Sequence, residues 1–151
     1  MNPSEPALAA WGLLLEAHRR LATRLDHELR EAHGLPLDWY DVLYQLHIAD
    51  GRLRMHELSD ATLFSRTGCT RLVDRMAGAG LVSREPAPED RRGVYAVLTE
   101  AGDQQLRAAS RTHLDGIQRL FAQHLEPDEI TALRTGLQRV VDAACDGDGP
   151  R

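Results

Sequence analysis

The sequence contains no lysine: all 18 of its basic residues are arginine, which we attribute to a GC-rich coding sequence rather than to function. It has only two cysteines, Cys69 and Cys145, and no CxxC pair, so it favours neither a disulfide framework nor a cysteine-ligated zinc site. No apolar run approaches the roughly 20 residues of a membrane-spanning helix, and the first residues lack the charged start of a signal peptide. We therefore expect a cytoplasmic protein without a membrane partner.

Catalytic motifs are also missing from the sequence. It contains no glycine-rich phosphate loop, no GxSxG and no HExxH, so we expect that the protein is not an enzyme. None of the seven histidines lies three or four residues from another, which is the spacing of a ligand pair on a helix. We expect neither a metal ion nor another cofactor.

The distribution of charge matters more than its total. A net charge of −5 argues at first against a nucleic-acid partner, because phosphate contacts require local positive charge. Residues 52–92, however, contain eight arginines and six acidic residues, whereas the rest of the chain contains ten and seventeen. An acidic protein with a locally basic middle can direct one attractive face toward DNA.

Helical patterns occupy both ends of the chain, whose 151 residues favour a single domain. Gly34 and Pro36 end a predicted first helix, Asp38 is a candidate N-cap for a second, and Thr99 and Pro127 begin two further helices. Residues 146–151 are expected to fray. The first helix carries a heptad-like stripe of large or apolar residues: Leu8, Trp11, Leu15, His18, Ala22, Leu25 and Leu29.

The last two helices carry further apolar stripes, within residues 106–121 and 130–144, and the three stripes together exceed what the middle of the chain needs for its own core. We therefore predict that residues 6–34 and 99–145 form dimerisation helices around a lobe at residues 37–98, within one domain spanning 1–151. The predicted fold is mainly α (α+β). A two-fold dimer would present two copies of one DNA-contacting helix, which we call the reading helix, to an inverted-repeat site on double-stranded DNA.

The middle of the chain predicts a helix-turn-helix followed by a β wing. Ser65 is a good N-cap for the second helix of this motif, and strands are predicted at 81–84 and 94–98, with Arg52 to Arg54 as a short third strand. The inner face of the second helix comprises Cys69, Leu72, Val73, Met76 and Ala77. Its accessible residues are Arg66, Thr67, Gly68, Thr70, Arg71, Asp74 and Arg75. We expect Asp74 to pair with Arg71 or Arg75.

The segments LVDRM (72–76), GLV (80–82), DRRG (90–93) and LTEAG (98–102) together resemble the winged helix of the MarR family of bacterial transcriptional regulators. The resemblance implies a homodimer that binds palindromic promoter DNA, usually as a repressor, and releases it on binding a small aromatic or phenolic ligand or on oxidation. It also implies the DNA contacts: backbone groups of Ser65, Arg66, Thr67 and Gly68 at phosphate, Thr70, Arg71 and Arg75 at the major groove, and Arg91 and Arg92 in the wing, with Asp90 holding Arg92 through an ion pair.

Two further features leave alternatives open. His18 and His113 interrupt apolar stripes, and are either hydrogen-bonded core residues or polar anchors of a ligand pocket walled by Trp11, Trp39, Tyr40 and Tyr44. Cys69 is either a small buried hydrophobe, which we favour, or a redox switch beneath the reading helix. A winged-helix protein-interaction module without DNA binding is the competing function.

Overall fold

The computed structural model describes residues 2–146; the tail that we expected to fray lies mostly outside them. Six helices and a three-stranded antiparallel sheet of order β1-β3-β2 confirm the mainly helical winged fold within this range. None of these helices is long and apolar enough to cross a membrane. The elements are α1 (Glu5–His33), α2 (Leu37–Ile48), β1 (Arg52–Arg54), α3 (Met55–Ala61), α4 (Arg66–Gly78), β2 (Val82–Pro86), β3 (Val94–Leu98), α5 (Glu100–Leu120), a 3-10 turn (Ala122–His124) and α6 (Pro127–Asp146).

A glycine ends α1, and a side chain of α1 binds the first backbone N–H of α2. Gly34 ends α1 as predicted, with a positive φ of 63° that only glycine adopts easily. The prediction that Asp38 caps α2 is wrong, because the helix already begins at Leu37. The backbone N–H of Leu37 donates instead to the carboxylate of Asp26 on α1, at 2.9 Å. An acceptor from the preceding helix therefore satisfies the start of α2.

The chain divides after Leu114 into two compact units. The first contains the winged helix and a core of fully buried side chains from α1, α2, α3 and α4, including Leu29, Leu43, Leu46, Leu58 and Val73. The second contains the end of α5 and all the described part of α6, which begins at Pro127 as predicted. Several large apolar side chains of α6 are exposed: Ile130, Leu133, Val140 and Val141.

The sheet forms the wing, which we define as the β2–β3 hairpin with its loop at residues 87–93. β2 is longer than predicted and pairs with β3 from Val82 opposite Leu98 to Pro86 opposite Val94. The predicted strand β1 is confirmed and pairs with the other edge of β3. Thr99 caps α5 as predicted, since its hydroxyl accepts the N–H of Gly102 at 3.0 Å and donates to the Gly80 carbonyl at 2.7 Å. This anchors the base of the wing to α5.

Candidate nucleic-acid interface

Helix α4 is oriented by its apolar face. Cys69, Val73 and Met76 are completely buried and Leu72 is 2% exposed, as the spacing predicts. The hydroxyl of Ser65 accepts the backbone N–H of Gly68 at 3.1 Å, which confirms the predicted N-cap. The opposite side of α4 therefore faces solvent at the surface of the lobe.

The outer face of α4 carries unpaired basic groups. Arg71 and Arg75 are exposed, and among the described residues neither guanidinium has an ion-pair or hydrogen-bond partner. The prediction that Asp74 pairs with one of them is wrong: Asp74 instead forms an ion pair with Arg84 on β2. That contact joins α4 to the wing and leaves the two arginines available. Arg66 and Thr67 are also exposed, while Thr70 is half-buried and donates its hydroxyl to the Arg66 carbonyl at 3.0 Å.

The wing loop is closed by its own backbone. The N–H of Ala87 donates to the Gly93 carbonyl at 2.9 Å, and the N–H of Gly93 donates to the Asp90 carbonyl at 3.0 Å. A Cβ on Gly93 would lie 2.9 Å from that of Ala87, so this tight turn requires glycine. The side chains of Arg91 and Arg92 are exposed at its tip.

The predicted ion pair between Asp90 and Arg92 is wrong, although the two residues do interact. One carboxylate oxygen of Asp90 accepts the backbone N–H of Arg92 at 3.0 Å, which fixes the turn rather than the guanidinium. The other oxygen lies 3.5 Å from the guanidinium of Arg54. A two-residue separation allows the short Asp90 side chain to reach the backbone of Arg92, and this is the bond that forms.

Sequence reasoning missed a group of side chains that joins β1 to the wing. Arg54 donates to the carboxylate of Glu89 at 2.7 Å, and the hydroxyl of Tyr95 donates to the same oxygen at 2.5 Å. The hydrogen bond from Tyr95, together with Arg54, lowers the pKa of Glu89. The guanidinium carbons of Arg52 and Arg54 lie 4.9 and 5.7 Å from the centroid of the Tyr95 ring. The register that sets Arg54 opposite Tyr95 creates this group, and only the alternating basic residues of β1 hinted at it.

Comparison with known proteins identifies the family. A model of the MarR family matches residues 33–93. The crystal structure of AbsC, a MarR family transcriptional regulator from Streptomyces coelicolor, matches this chain with a TM-score of 0.87 and 32% identity, over 97% of this chain and 99% of AbsC. The chain belongs to the MarR family. It is a DNA-binding transcriptional regulator, as its sequence predicts.

Two other members extend this comparison. The HTH-type transcriptional regulator YkoM of Bacillus subtilis is 30% identical over 106 residues, which are 69% of this chain and 68% of YkoM. Sco3205, a MarR family regulator from Streptomyces coelicolor crystallised in complex with DNA, has a TM-score of 0.81 and 28% identity, over 99% of this chain and 92% of Sco3205. These relatives are all transcriptional regulators.

The six predicted ligand-binding residues do not share one site within the described MarR-family chain. Tyr40 and His113 are in contact, with ring centroids 4.4 Å apart, and Tyr44 stacks on Tyr40 at 6.5 Å. Burial lowers the pKa of His113, and its Nδ1 has no hydrogen-bond partner in the described part of the chain. Trp11 is exposed on α1, whereas Trp39 packs against the core. Trp39 and Tyr40 are neighbours on α2, so their side chains leave the helix in directions about 100° apart.

His18 lines a separate groove of about 540 Å³, formed by α1, α2 and the turn between α3 and α4. Leu63 and Phe64 of that turn provide apolar surface. Asp41 of α2 also lines this groove, and its carboxylate has no partner among the described residues. Burial and the neighbouring charge of Asp38 raise the pKa of Asp41 to about 6. The groove therefore contains a hydrogen-bond acceptor beside apolar side chains.

The burial of Cys69 bears on the redox alternative. Its side chain has no exposed surface, and burial raises the pKa of the thiol. Oxidants react with the thiolate rather than the thiol, so both effects oppose a switch at this position. The environment of Cys69 is that of a small buried hydrophobe.

Replacing Asp41 with asparagine should stabilise the protein in a pH-dependent way. A carboxyl group whose pKa is higher in the folded than in the unfolded chain destabilises the fold as the pH rises through the interval from 3.8 to about 6. We expect Asp41→Asn to increase the free energy of unfolding by about 1 kcal/mol at neutral pH, a value reduced for partial solvent exposure, with little gain near pH 4. Urea unfolding at both pH values measures this. Asp60→Asn, at an exposed position of α3, is the control, and an Asp41→Asn gain independent of pH would contradict the assignment.

Proposed function

We propose that this regulator is a homodimeric repressor that binds a palindromic operator and is released by a small-molecule effector. One observation carries the DNA-binding part of the proposal. Arg71, Arg75 and Arg92 are exposed without ion-pair partners among the described residues, whereas the neighbouring Arg54 and Arg84 are paired with carboxylates. These three guanidinium groups, on α4 and in the wing, carry positive charge that no carboxylate compensates, and such a surface favours binding of a polyanion such as DNA.

The two elements would read different parts of the duplex. An α-helix fits the major groove of B-DNA, and the small Thr67 and Thr70 beside Arg71 allow close approach to base edges. A guanidinium at the tip of a wing fits a narrow minor groove, whose negative potential attracts arginine. The backbone N–H groups at the start of α4 would meet phosphate. The similarity to Sco3205, which was crystallised with DNA, supports this arrangement.

Loss of the wing arginine should weaken DNA binding without unfolding the protein. We expect Arg92→Ala to reduce affinity for a duplex from the regulator's own promoter by about 1–3 kcal/mol, because it removes the minor-groove guanidinium. Fluorescence anisotropy titrations measure the affinity. Arg24→Ala removes the same charge from an exposed position on α1 and should change the affinity much less.

The same titrations separate a DNA-binding regulator from a winged-helix interaction module. Affinity of the wild-type protein should fall steeply between about 50 and 200 mM salt, because binding releases counterions from the duplex. Retention that is weak and independent of salt would favour the interaction module. Equal losses in Arg92→Ala and Arg24→Ala would contradict a specific role for the wing.

The dimer part of the proposal rests on exposed apolar stripes. Leu8, Trp11 and Leu15 share one face of α1, and Trp11 is 59% exposed. Ile130, Leu133, Val140 and Val141 of α6 are exposed as well. Stripes of this kind bury their surface against other helices, and a two-fold dimer supplies a second copy of each. Two recognition helices related by a two-fold axis would match an inverted repeat with half-sites about one helical turn apart.

A charge within the α1 stripe should dissociate the dimer. We expect Trp11→Glu to weaken self-association about a hundredfold or more, because a carboxylate would be desolvated in the interface. Sedimentation velocity over a concentration series measures this. Leu13, which is 67% exposed on the opposite side of α1, provides the control, and Leu13→Glu should remain dimeric. A monomeric wild-type protein would contradict the proposal, as would dissociation of both variants to the same extent.

The effector part of the proposal rests on the groove between α1, α2 and the α3–α4 turn. Its volume of about 540 Å³ suits a small molecule, and Phe64 offers an aromatic surface. The unpartnered carboxylate of Asp41 would accept a hydrogen bond from a phenol or an aromatic amine. An aromatic carboxylate would place like charges together at neutral pH, because Asp38 and Asp41 both line the groove and Arg30, which also lines it, is already paired with Asp26. We therefore propose a donor-bearing aromatic molecule as the effector.

A thermal-shift screen of phenols, aromatic amines and aromatic carboxylates tests this choice, since a ligand of the native state raises the melting temperature. Phenols or amines should stabilise the wild-type protein and should lose most of this effect in Asp41→Ala, which removes the acceptor that asparagine would retain. The melting temperature of each variant without ligand is the reference. Stabilisation by aromatic carboxylates that is equal in both proteins would place the effector elsewhere.

A further inference from the structure

Arg54 occupies a position where three elements meet. It is the last residue of β1, it precedes the first residue of α3, and it lies opposite Tyr95 of β3. Its backbone N–H donates to the Glu57 carboxylate at 2.8 Å, which closes the start of α3. Its side chain extends in the other direction, toward the wing, and is only 26% exposed. One residue is thus bonded both to the first helix of the helix-turn-helix and to the wing.

The guanidinium of Arg54 is bonded to the segment that precedes the wing tip. It donates to Glu89 at 2.7 Å and lies 3.5 Å from Asp90. The hydroxyl of Tyr95 on β3 donates to the same Glu89 oxygen. Asp90 in turn accepts the backbone N–H of Arg92. A chain of contacts therefore runs from β1 through the two carboxylates to the backbone of the residue proposed to enter the minor groove.

We propose that Arg54 is a positioning residue for DNA binding, which holds the wing through Glu89 and Asp90 so that Arg92 meets the minor groove in a fixed orientation. The inference rests on the proposed role of Arg92. Two carboxylates compensate the charge of Arg54, and one N–H group of its fork is bonded, so it is a poor phosphate ligand. The guanidinium of Arg92 has no partner among the described residues, so the direction of this side chain depends on the backbone that Asp90 holds. A pre-positioned side chain loses less entropy on binding.

The first test needs no DNA. Trypsin cleaves after arginine, so cleavage after Arg91 and Arg92 reports how freely the exposed wing tip opens. We expect Arg54→Gln to accelerate these two cuts about fivefold or more, and Tyr95→Phe, which disturbs Glu89 from the other side, to accelerate them less. Mass spectrometry identifies the sites. Arg107→Gln, which breaks an exposed ion pair with Asp103 on α5, is the matched control and should leave the wing unchanged.

The second test distinguishes positioning from direct contact. We expect Arg54→Gln to weaken DNA binding about tenfold, with an unchanged slope of log affinity against log salt, because no phosphate contact is lost. In the Arg92→Ala background the same substitution should have little further effect, since no minor-groove side chain remains to be positioned. Arg54→Lys, which keeps the charge but not the fork, should recover part of the affinity.

The outcomes separate this inference from the proposed function. A slope reduced by about one, with additive losses in the double variant, would make Arg54 a phosphate ligand and overturn the positioning role. Unchanged wing cleavage in both Arg54→Gln and Tyr95→Phe would overturn it as well. Absence of salt-sensitive DNA binding by the wild-type protein would instead overturn the proposed function, while the trypsin result would still report whether Arg54 holds the wing.

Discussion

Burial of one face of α4 is the constraint on which the interface depends. Cys69, Val73 and Met76 have no exposed surface, so a rotation of the helix by one residue would bring a polar or charged group into the core at a cost of several kcal/mol. Because successive residues are about 100° apart, fixing these three side chains also fixes where Arg71 and Arg75 point. The core of the lobe thus determines the orientation of the surface that we propose to face DNA.

Charge pairing then decides which of the exposed arginines remain available. A protein with a net charge of −5 can attract DNA only where guanidinium groups are not already neutralised. Asp74 pairs with Arg84 and the wing carboxylates pair with Arg54, so the acidic residues nearest the interface are bonded to arginines that stabilise the lobe. The guanidinium groups of Arg71, Arg75 and Arg92 remain uncompensated among the described residues, which is why we propose them as the groups that contact phosphates and grooves. Asp74 and the wing carboxylates therefore stabilise the fold, and their negative charge is compensated by Arg84 and Arg54 rather than left to repel a polyanion.

Short-range sequence patterns predict most of the helices and strands of this fold. The period of α4, its Ser65 cap, the glycine that ends α1 and the threonine that caps α5 each depend on residues within about four positions, which a sequence displays directly. Two of the wrong predictions, the cap of α2 and the partner of Asp74, concern bonds whose partner is chosen by tertiary structure, whereas the predicted Asp90–Arg92 ion pair is replaced by a local bond to the backbone. Asp26 caps α2 from the preceding helix, and strand pairing sets Arg54 beside the wing. The six predicted ligand-binding residues share a chemical type, and chemical type contains no information on the direction in which each side chain points.

The proposed effector groove has a direct physical connection to the reading helix. Leu63 and Phe64, which line it, immediately precede Ser65, whose hydroxyl caps α4. A molecule in the groove would therefore contact the segment from which α4 begins. It can shift DNA binding only through a difference between its affinities for the DNA-competent and DNA-incompetent arrangements of that turn, and DNA must then weaken effector binding by the same factor. A coupling of about 1.4 kcal/mol, which corresponds to a tenfold change in affinity, is within the usual range for coupling between two binding sites.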